Sequence, residues 1–168
     1  AAELLRMYRE GQFPMHHDDG LYLHDPDPRA IFPLEQLWAN ARMERYFRSN
    51  GYSCTMDTAF ETVMRACADR PDRWISDETI QAYTAFHRMD HALSVEVWQR
   101  GELIGGLYGV KVGRAFFGES MFSRKPNASK AAFYHVAEHL RTNGYTLFDT
   151  QYLNDHTRSL GAVEVARE

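Results

Sequence analysis

Three consecutive strand patterns in the middle of the chain constrain its fold most strongly. Residues 93–98 alternate apolar and polar side chains, and the turn sequence Gln-Arg-Gly-Glu at 99–102 predicts a hairpin into a second strand at 103–112. A third strand pattern at 115–122 follows another turn that contains glycine. Glycines 105, 106 and 109 are unusual inside a strand, and they predict a bulge or a close approach of the backbone to a ligand.

Helical patterns flank these strands on both sides. One helix is predicted where Thr58 and Glu61 have the spacing of a capping box, and another is predicted behind Ser76 as its N-cap. A third helix is predicted to begin at Ser129, and a further strand is expected at 145–149. The apolar stripe of this third helix is Phe133, Val136, Ala137 and Leu140. The order ααβββαβ indicates an α/β (α+β) fold in which helices cover a mixed sheet.

The N-terminal residues 1–37 differ from the rest of the chain. They are rich in proline and histidine, and one short amphipathic helix is the only regular element expected there, because Pro26, Pro28 and Pro33 oppose regular structure. A length of 168 residues with 44% hydrophobic content supports one domain, or one domain with a small appendage.

Composition narrows the class of function. No apolar run approaches the about 20 residues that a membrane-spanning helix needs, and the first residues lack the basic flank and apolar core of a secretory leader. The net charge of −4 does not indicate nucleic-acid binding by the molecule as a whole, although it allows a local basic patch.

Two strand patterns carry residues suited to chemistry. The third strand contains Glu119 and Ser120 among aromatic residues, and the last strand ends in Asp149 and Gln151. Asp149 and Gln151 lie two residues apart, so both side chains can point into one site. If the two strand ends are neighbours in one sheet, they form a reaction site in which polar groups handle a proton beside an apolar pocket.

Several segments together resemble one bacterial enzyme family, the leucyl/phenylalanyl-tRNA–protein transferases. The resemblance covers nearly the whole chain, and no single motif in it is decisive; order and spacing together carry it. The matching segments are Gly-Gln-Phe-Pro (11–14), Pro-Asp-Pro-Arg-Ala (26–30), Trp-Ile-Ser (74–76), His-Ala-Leu-Ser-Val-Glu-Val-Trp (91–98), Gly-Gly-Leu-Tyr-Gly-Val (105–110), Phe-Gly-Glu-Ser-Met-Phe-Ser-Arg (117–124), Asn-Ala-Ser-Lys (127–130), Leu-Asn-Asp-His-Thr (153–157) and Ser-Leu-Gly-Ala (159–162).

The resemblance implies a fold, a reaction and a location. It implies an acetyltransferase-like (GNAT) catalytic domain, which we place at 38–168, behind a small N-terminal domain at 1–37. It implies transfer of Leu or Phe, with Met as a further donor, from aminoacyl-tRNA to proteins that begin with Arg or Lys. The products would be marked for degradation through the N-degron pathway in the cytoplasm. No metal or other cofactor is expected, and the oligomeric state is left open.

The resemblance also assigns residues to roles. Asp149, Gln151 and Glu119 are the expected catalytic residues. We expect Asp149 to accept a proton or hold the ammonium, Gln151 to position the substrate, and Glu119 to face the positive N-terminus of the acceptor. The substrate is expected to contact Leu107, Phe116, Met121, Phe133, Ser120 and Asn154. The tRNA is expected to contact Arg124, Lys125, Asn127, Ser129, Lys130 and Arg158, with Arg29 and Arg114 as further candidates.

Departures from the family pattern occur at two places. Leu23 and His24 stand where family members commonly have a Trp pair at the mouth of the site, and Asp25 replaces a Ser. Tyr22 is a candidate replacement for that aromatic wall. Thr150 stands where the family usually has Cys, and its side chain is expected to point away from the site.

Three other functions fit the sequence less well. The cluster of His16, His17 and His24 beside Asp18 and Asp19 lacks the spacing of a metal site, and a polar loop is the expected alternative. An acyl-CoA-dependent N-acyltransferase of the same fold is disfavoured, because the segment Ser-Arg-Lys-Pro-Asn-Ala-Ser-Lys lacks the glycines that cradle a pyrophosphate. A non-catalytic binder of tRNA or protein N-termini is the remaining alternative.

Overall fold

A computed structural model describes residues 1–71 and 75–167 of the chain. Trp74, part of the Trp-Ile-Ser match, lies outside the described residues. The helices are α1 (Ala2–Arg9), α2 (Ala41–Ser49), α3 (Phe60–Ala68), α4 (Asp77–Arg88), α5 (Ala128–Thr142) and α6 (Asp155–Ser159), with a short 3₁₀ turn at Leu34–Gln36. The strands are β1 (Phe13–His17), β2 (Gly20–His24), β3 (Arg29–Phe32), β4 (Ser53–Met56), β5 (Ala92–Gln99), β6 (Glu102–Val112), β7 (Ala115–Ser123), β8 (Leu147–Gln151) and β9 (Val163–Val165).

The centre of the molecule is a seven-stranded mixed sheet in the order β4-β5-β6-β7-β8-β3-β9. Neighbouring strands are antiparallel except for β7 and β8, which pair in parallel and are connected through α5. β1 and β2 form a separate antiparallel hairpin. The predicted α/β arrangement, a mixed sheet flanked by helices, is confirmed. In the described parts of the chain, every helix is too short or too polar to cross a bilayer.

Helices cover both faces of the sheet, so the core has two halves. Helix α5 buries Phe133, Val136 and Leu140 against one face, as the predicted apolar stripe requires. Helices α1, α3 and α4 cover the opposite face. Because both faces are covered, the polar alternates of β5, Ser94 and Glu96, are also fully buried.

The prediction that residues 1–37 contain only one short helix is wrong. The hairpin β1–β2 and strand β3 lie there, and β3 pairs with β8 and β9 in the main sheet. Pro28 and Pro33 flank β3 instead of interrupting it, so all of its backbone N–H groups remain available for pairing. The division into domains at 37/38 stays a prediction, and β3 ties the first segment to the main sheet.

Several predicted boundaries and caps need correction. Helix α3 is capped at Ala59 without a side-chain hydrogen bond, because the Thr58 hydroxyl donates to Glu96 instead. Ser76 is the N-cap of α4, as predicted, and accepts from the Thr79 N–H. Helix α5 begins at Ala128 behind Asn127, which is left-handed with φ 64°, so Ser129 is not its cap. The strand expected at 145–149 lies two residues later, and α2, β4, α6 and β9 were not predicted.

The glycines of β6 allow close packing of protein on protein. A Cβ on Gly105 would lie 2.7 Å from the Cβ of Ala128, and one on Gly106 would lie 2.6 Å from the Val95 carbonyl oxygen. The prediction was an approach to a ligand, whereas the observed close approach is to α5 and the neighbouring strand. The predicted bulge is present in β6 beside Gly105, where Ile104 is the extra residue opposite β5.

Candidate functional site

The candidate site is a cavity where β7 and β8 separate. The two strands pair only as far as Phe117 and Asp149, after which β7 continues along β6 and β8 turns away. The cavity of about 280 Å³ lies in this opening and borders Gly118, Glu119 and Gln151. The two strand ends that the sequence singled out are therefore neighbours, as the prediction required.

A β-bulge in each strand aims the polar residues at this opening. On β7, Ser120 pairs with Tyr108 and Gly118 pairs with Gly109, which leaves Glu119 as the extra residue. On β8, Gln151 pairs with Ala30 and Asp149 pairs with Ile31, which leaves Thr150 as the extra residue. A bulge re-aims side chains and ends regular pairing, and bulges are frequent beside active sites.

The inner end of the cavity is apolar. Leu107 and Phe116 line it, as predicted, together with Phe32 and Phe148, which the sequence analysis did not identify. These four side chains are buried, and Phe148 packs edge-on against Phe32 and Phe116 at 4.8 and 5.3 Å between ring centroids. Met121 also borders the cavity and is only partly buried. The inner part of the cavity is therefore an apolar pocket in which the flexible Met121 side chain can adapt to the ligand's shape.

Glu119 is the carboxylate at the wall of this cavity. Its Oε1 accepts hydrogen bonds from the Tyr8 hydroxyl and, at 3.0 Å, from the Gln151 side-chain amide. Burial raises the pKa of Glu119 to about 7, and the hydrogen bonds from Tyr8 and Gln151 oppose that rise. A carboxyl group with this pKa can both take up and release a proton near neutral pH.

Two buried tyrosines extend behind Glu119. The Tyr8 hydroxyl lies 2.6 Å from the Tyr83 hydroxyl, so with Tyr8 donating to Glu119 it accepts from Tyr83. Burial raises the pKa of both tyrosines well above the ordinary value, followed for each by repulsion from the Glu119 charge. Both hydroxyls therefore keep their protons, so that Tyr83 donates to Tyr8 and Tyr8 donates to the carboxylate.

Asp149 lies behind Gln151, and it is not among the residues that line the cavity. Its Oδ2 is 2.8 Å from Arg29 Nε, and its Oδ1 accepts from Arg29 Nη2 at 3.1 Å and from the Gln151 N–H at 2.9 Å. Gln151 has a positive φ of 69°, a conformation that this contact with the backbone N–H supports. Burial raises the pKa of Asp149, while the charge of Arg29 and the hydrogen bonds lower it.

Arg29 is itself held from the other side. Its Nη1 donates to the Gly11 carbonyl at 2.5 Å, and its guanidinium lies 4.9 Å from the centroid of the Phe13 ring. These contacts leave Arg29 inside the protein, paired with Asp149, and away from any path for tRNA. Its suggested role as a tRNA contact is therefore not supported by its position.

The other predicted substrate contacts divide into two groups. Ser120 and Asn154 border the cavity with Met121, and Asn154 also caps α6 by accepting from the Thr157 N–H at 2.8 Å. Phe133 does not line the cavity, since it is fully buried on α5 with its ring 5.8 Å from that of Phe148. It supports the apolar wall from behind.

Five of the six predicted tRNA contacts lie in the β7–α5 connection or the first turn of α5, and the sixth, Arg158, lies on α6. Arg124, Lys125 and Arg158 are exposed, whereas Asn127, Ser129 and Lys130 are partly buried. The Ser129 N–H donates to Ser123 Oγ at 3.2 Å, and the Ala128 N–H donates to the Lys125 carbonyl at 3.2 Å. These two groups at the start of α5 are therefore already bonded within the protein.

A basic helix near this connection was missed by the sequence analysis. Helix α2 exposes Arg42, Arg45 and Arg48, which recur every three residues and so share one side of the helix. The Tyr52 hydroxyl, just beyond α2, donates to the Pro126 carbonyl at 2.8 Å. The helical spacing of arginines in residues 41–49 was a signal in the sequence that could have indicated this surface.

Two of the positions that depart from the family pattern, His24 and Thr150, lie at or beside the cavity. His24 stacks on Phe13, and its Nδ1 lies 2.6 Å from the hydroxyl of Tyr152, a half-exposed residue at the cavity rim. Tyr22 donates to Asp19 and is not among the cavity residues. Thr150 borders the cavity, contrary to the expectation that it points away, because it is the extra residue of the β8 bulge.

Within residues 1–71 and 75–167, no group of three or more His, Cys, Asp or Glu side chains is arranged to hold a metal ion. His17 Nε2 lies 2.9 Å from His24 Nε2, whereas His16 turns towards Ser76 at 3.3 Å. Burial raises the pKa of the Cys54 and Cys67 thiols to about 11 and about 12, which disfavours either as a nucleophile.

Comparisons of solved structures bear on the fold alone. A conserved protein of unknown function from Bacteroides thetaiotaomicron superposes with a TM-score of 0.54 and 12% identity, covering 94% of this chain and 60% of that one. The structure of L-PGS from Bacillus licheniformis gives a TM-score of 0.51 and 14% identity, covering 77% of this chain and 48% of that one.

Comparisons of sequence identify the family. The family model described as leucyl/phenylalanyl-tRNA protein transferase matches residues 31–168. A leucyl/phenylalanyl-tRNA–protein transferase from Gloeobacter violaceus is 48% identical, covering 98% of this chain and 86% of the relative. One from Ruegeria pomeroyi is 47% identical, covering 98% of this chain and 80% of the relative. The chain therefore belongs to the leucyl/phenylalanyl-tRNA–protein transferase family, whose members are aminoacyltransferases.

Proposed function

We propose that this chain moves Leu or Phe from aminoacyl-tRNA to the α-amino group of proteins that begin with Arg or Lys. The observation that carries the proposal is the position of Glu119, whose carboxylate lies at the wall of an apolar cavity between two diverging strands. Membership of the family supports the reaction class. Recognition of Arg and Lys rests on the Glu119 carboxylate.

The apolar end of the cavity suits the donor side chain. Leu107, Phe116 and Phe148 provide a buried wall that excludes water from a Leu or Phe side chain. Met121, with its flexible thioether, adapts the fourth side to a branched or an aromatic shape. An unbranched Met side chain fits the same description, so Met is a third predicted donor.

The reaction is aminolysis of an ester. The α-amino nitrogen of the acceptor forms a bond to the carbonyl carbon of the donor, and the bond from that carbon to the ribose oxygen breaks. The nitrogen loses one proton and the ribose oxygen gains one, so one group that accepts and then releases a proton completes the balance. Glu119 has the suitable pKa of about 7 and a second oxygen that accepts from neither Tyr8 nor Gln151.

Gln151 and Asp149 serve this step by position. The Gln151 amide donates to Glu119 and fixes the carboxylate beside the cavity. Asp149 fixes the backbone of Gln151 and is neutralised by Arg29. The expected role of Asp149 was to accept a proton or to hold the ammonium. Its ion pair with Arg29 favours a positioning role instead, and favours Glu119 as the proton acceptor.

Selection of the acceptor follows from charge. Glu119 is the one carboxylate among the described residues that line the cavity. It attracts the α-ammonium group and a neighbouring cationic side chain, and an acceptor beginning with Arg or Lys supplies both. Products of this transfer would carry a new N-terminal Leu or Phe, and we place the reaction in the cytoplasm as a step of the N-degron pathway.

The donor tRNA is expected to lie along the basic surface outside the cavity. Arg45 and Arg48 of α2 and Lys125 and Arg124 of the β7–α5 connection are exposed. Contacts of this kind neutralise phosphates and make binding depend strongly on salt. Acyl-CoA is disfavoured as the donor, because the Ala128 and Ser129 N–H groups that would face a pyrophosphate already have partners.

Transfer of radiolabelled Phe from charged tRNA to matched peptides tests the proposal. Three peptides differ only in their first residue, which is Arg, Lys or Met. Label on the Arg and Lys peptides, and not on the Met peptide, is the expected result. Label on none of them, together with product from acetyl-CoA or another acyl-CoA, would move the chain to the acyl-CoA-dependent transferases.

A further inference from the structure

Arg70 is a cation on the cavity wall to which neither the sequence analysis nor the proposed reaction assigned a role. It follows α3, and its guanidinium borders the cavity. Its Nε donates to the Cys67 carbonyl at 2.9 Å, and its Nη2 donates to Ser120 Oγ at 2.6 Å. These two hydrogen bonds fix the plane of the guanidinium, and the Ser120 hydroxyl therefore positions Arg70.

Among the described residues, the Arg70 guanidinium has no carboxylate partner, although an arginine held in one orientation usually has one. In residues 1–71 and 75–167, no carboxylate forms an ion pair with Arg70, and no group accepts from its Nη1. By contrast, Arg65, on the helix α3 that precedes Arg70, is paired with Glu61 at 2.8 Å. An oriented guanidinium with a free edge in a cavity is suited to a bidentate anion.

We propose that Arg70 binds the phosphate that joins the 3′-terminal nucleoside of the donor tRNA to the nucleotide before it. This inference rests on the proposed function, in which the donor carries its aminoacyl group into the same cavity. The N-terminus of the acceptor protein is cationic. The phosphates of the donor tRNA are therefore the anions that the reaction brings to this wall of the cavity.

The shape of the surface supports the same path. A groove leaves the cavity wall past Arg70, Met121 and Ser123 and reaches Arg124, and its lining contains one carboxylate, Asp69, beside these two arginines. Arg124 is exposed and held over the Phe122 ring at 5.4 Å from its centroid. Beyond it, Lys125 leads to the basic side of α2. The phosphate at Arg70 would therefore be the innermost contact of a basic track along the end of the sheet.

Two small donor analogues that differ by one phosphate test the inference. The first is adenosine with Phe joined to its 3′ position by an amide, which cannot react, and the second is the same compound with a 5′-phosphate. Their Kd values are measured by calorimetry at low ionic strength for the wild type and for Arg70→Gln, Arg70→Lys and Arg88→Gln. Arg88 is an exposed arginine at the far end of α4 and serves as the matched loss of charge.

The measured quantity is the ratio of the two Kd values within each protein, so a general loss of folding or affinity cancels. The wild type and Arg88→Gln are expected to prefer the phosphorylated analogue by about 10-fold or more. Arg70→Gln should reduce the preference to less than about 2-fold, and Arg70→Lys should leave an intermediate value, because Lys keeps the charge without the fork.

Two results would overturn the inference: an equal preference in Arg70→Gln and the wild type, or no preference in the wild type. Transfer of Phe from charged tRNA by the wild type is measured in parallel. If that transfer occurs and the phosphate preference does not depend on Arg70, only the role of Arg70 is lost. If no transfer occurs, the proposed function itself fails.

Discussion

Replacing Tyr8 by Phe should make Glu119 a weaker acid and shift the pH dependence of transfer. The Tyr8 hydroxyl donates to the ionised carboxylate, so it stabilises the charged form and lowers the pKa of Glu119. A hydrogen bond to a charged group contributes about 1.5–3 kcal/mol, and one pKa unit corresponds to about 1.4 kcal/mol. The Gln151 amide still donates in the variant, so we expect a rise of about one unit from the wild-type value of about 7.

The consequence for activity depends on pH in a defined direction. At pH 7 about half of the wild-type carboxyl groups are ionised, against about one tenth in Tyr8→Phe. If the ionised form accepts the proton, kcat/KM falls about fivefold at pH 7 and recovers as the pH rises above 8. The acid limb of the kcat/KM profile should therefore move to higher pH by about one unit.

The assay is transfer of labelled Phe to an Arg peptide between pH 5.5 and 8.5, with spontaneous ester hydrolysis subtracted. The amine of the acceptor peptide titrates near pH 8 in every reaction. The difference between the pH profiles of the variant and the wild type therefore reports groups of the enzyme alone. Tyr22→Phe removes an exposed hydroxyl outside the cavity and is the matched control. An acid limb at the same pH in Tyr8→Phe and the wild type would refute the assignment of this limb to Glu119.

Three further variants probe stability. Glu119→Gln should raise the free energy of unfolding at pH 8 by about 1–3 kcal/mol. The folded protein holds the Glu119 carboxyl with a pKa of about 7, above its ordinary value of 4.5, so ionisation of this group destabilises the fold as the pH rises from 4.5 to 7. No gain is expected at pH 4 in urea unfolding, and an equal gain at both pH values would contradict the reasoning. Asp149→Asn leaves the Arg29 charge buried without its partner and should lower the free energy of unfolding by about 3–5 kcal/mol. A decrease of less than about 1 kcal/mol in the same assay would mean that water solvates the Arg29–Asp149 pair. Gly105→Ala should lower the urea midpoint by the equivalent of about 1–3 kcal/mol, since the new methyl group meets Ala128 at 2.7 Å; an unchanged midpoint would show that α5 can move aside.

The middle of the sheet, β5 to β7, was predictable because local patterns determine it. Residues 93–122 alternate between strand and turn signals, and their hairpins bring sequence neighbours together. The apolar stripe of α5 and the Ser76 cap are also local signals, and both were confirmed. β3 and β9 were missed because strands of four and three residues carry little pattern and depend on distant partners.

The identity of the site residues was easier to predict than their arrangement. Glu119 and Gln151 were expected in one site because their strands end in polar groups, and they lie within 3.0 Å of each other. Tyr8 and Arg29 could not be assigned, since the residues they bind lie 111 and 120 positions away in the sequence. The bulges that turn Glu119 and Thr150 towards the cavity were also not predicted, because a register shift depends on how two strands pair and not on one strand's sequence.

Side-by-side transfer by the wild type and Glu119→Gln tests the central claim most directly. Both proteins receive Phe-tRNA and an Arg peptide at pH 7.5, and the labelled peptide is followed over a single turnover. The account predicts rapid labelling by the wild type and a loss of about 100-fold or more in Glu119→Gln, with the affinity for Phe-tRNA unchanged within about threefold. Labelling by Glu119→Gln at the wild-type rate would contradict the claim that this carboxylate receives the proton of the acceptor amine.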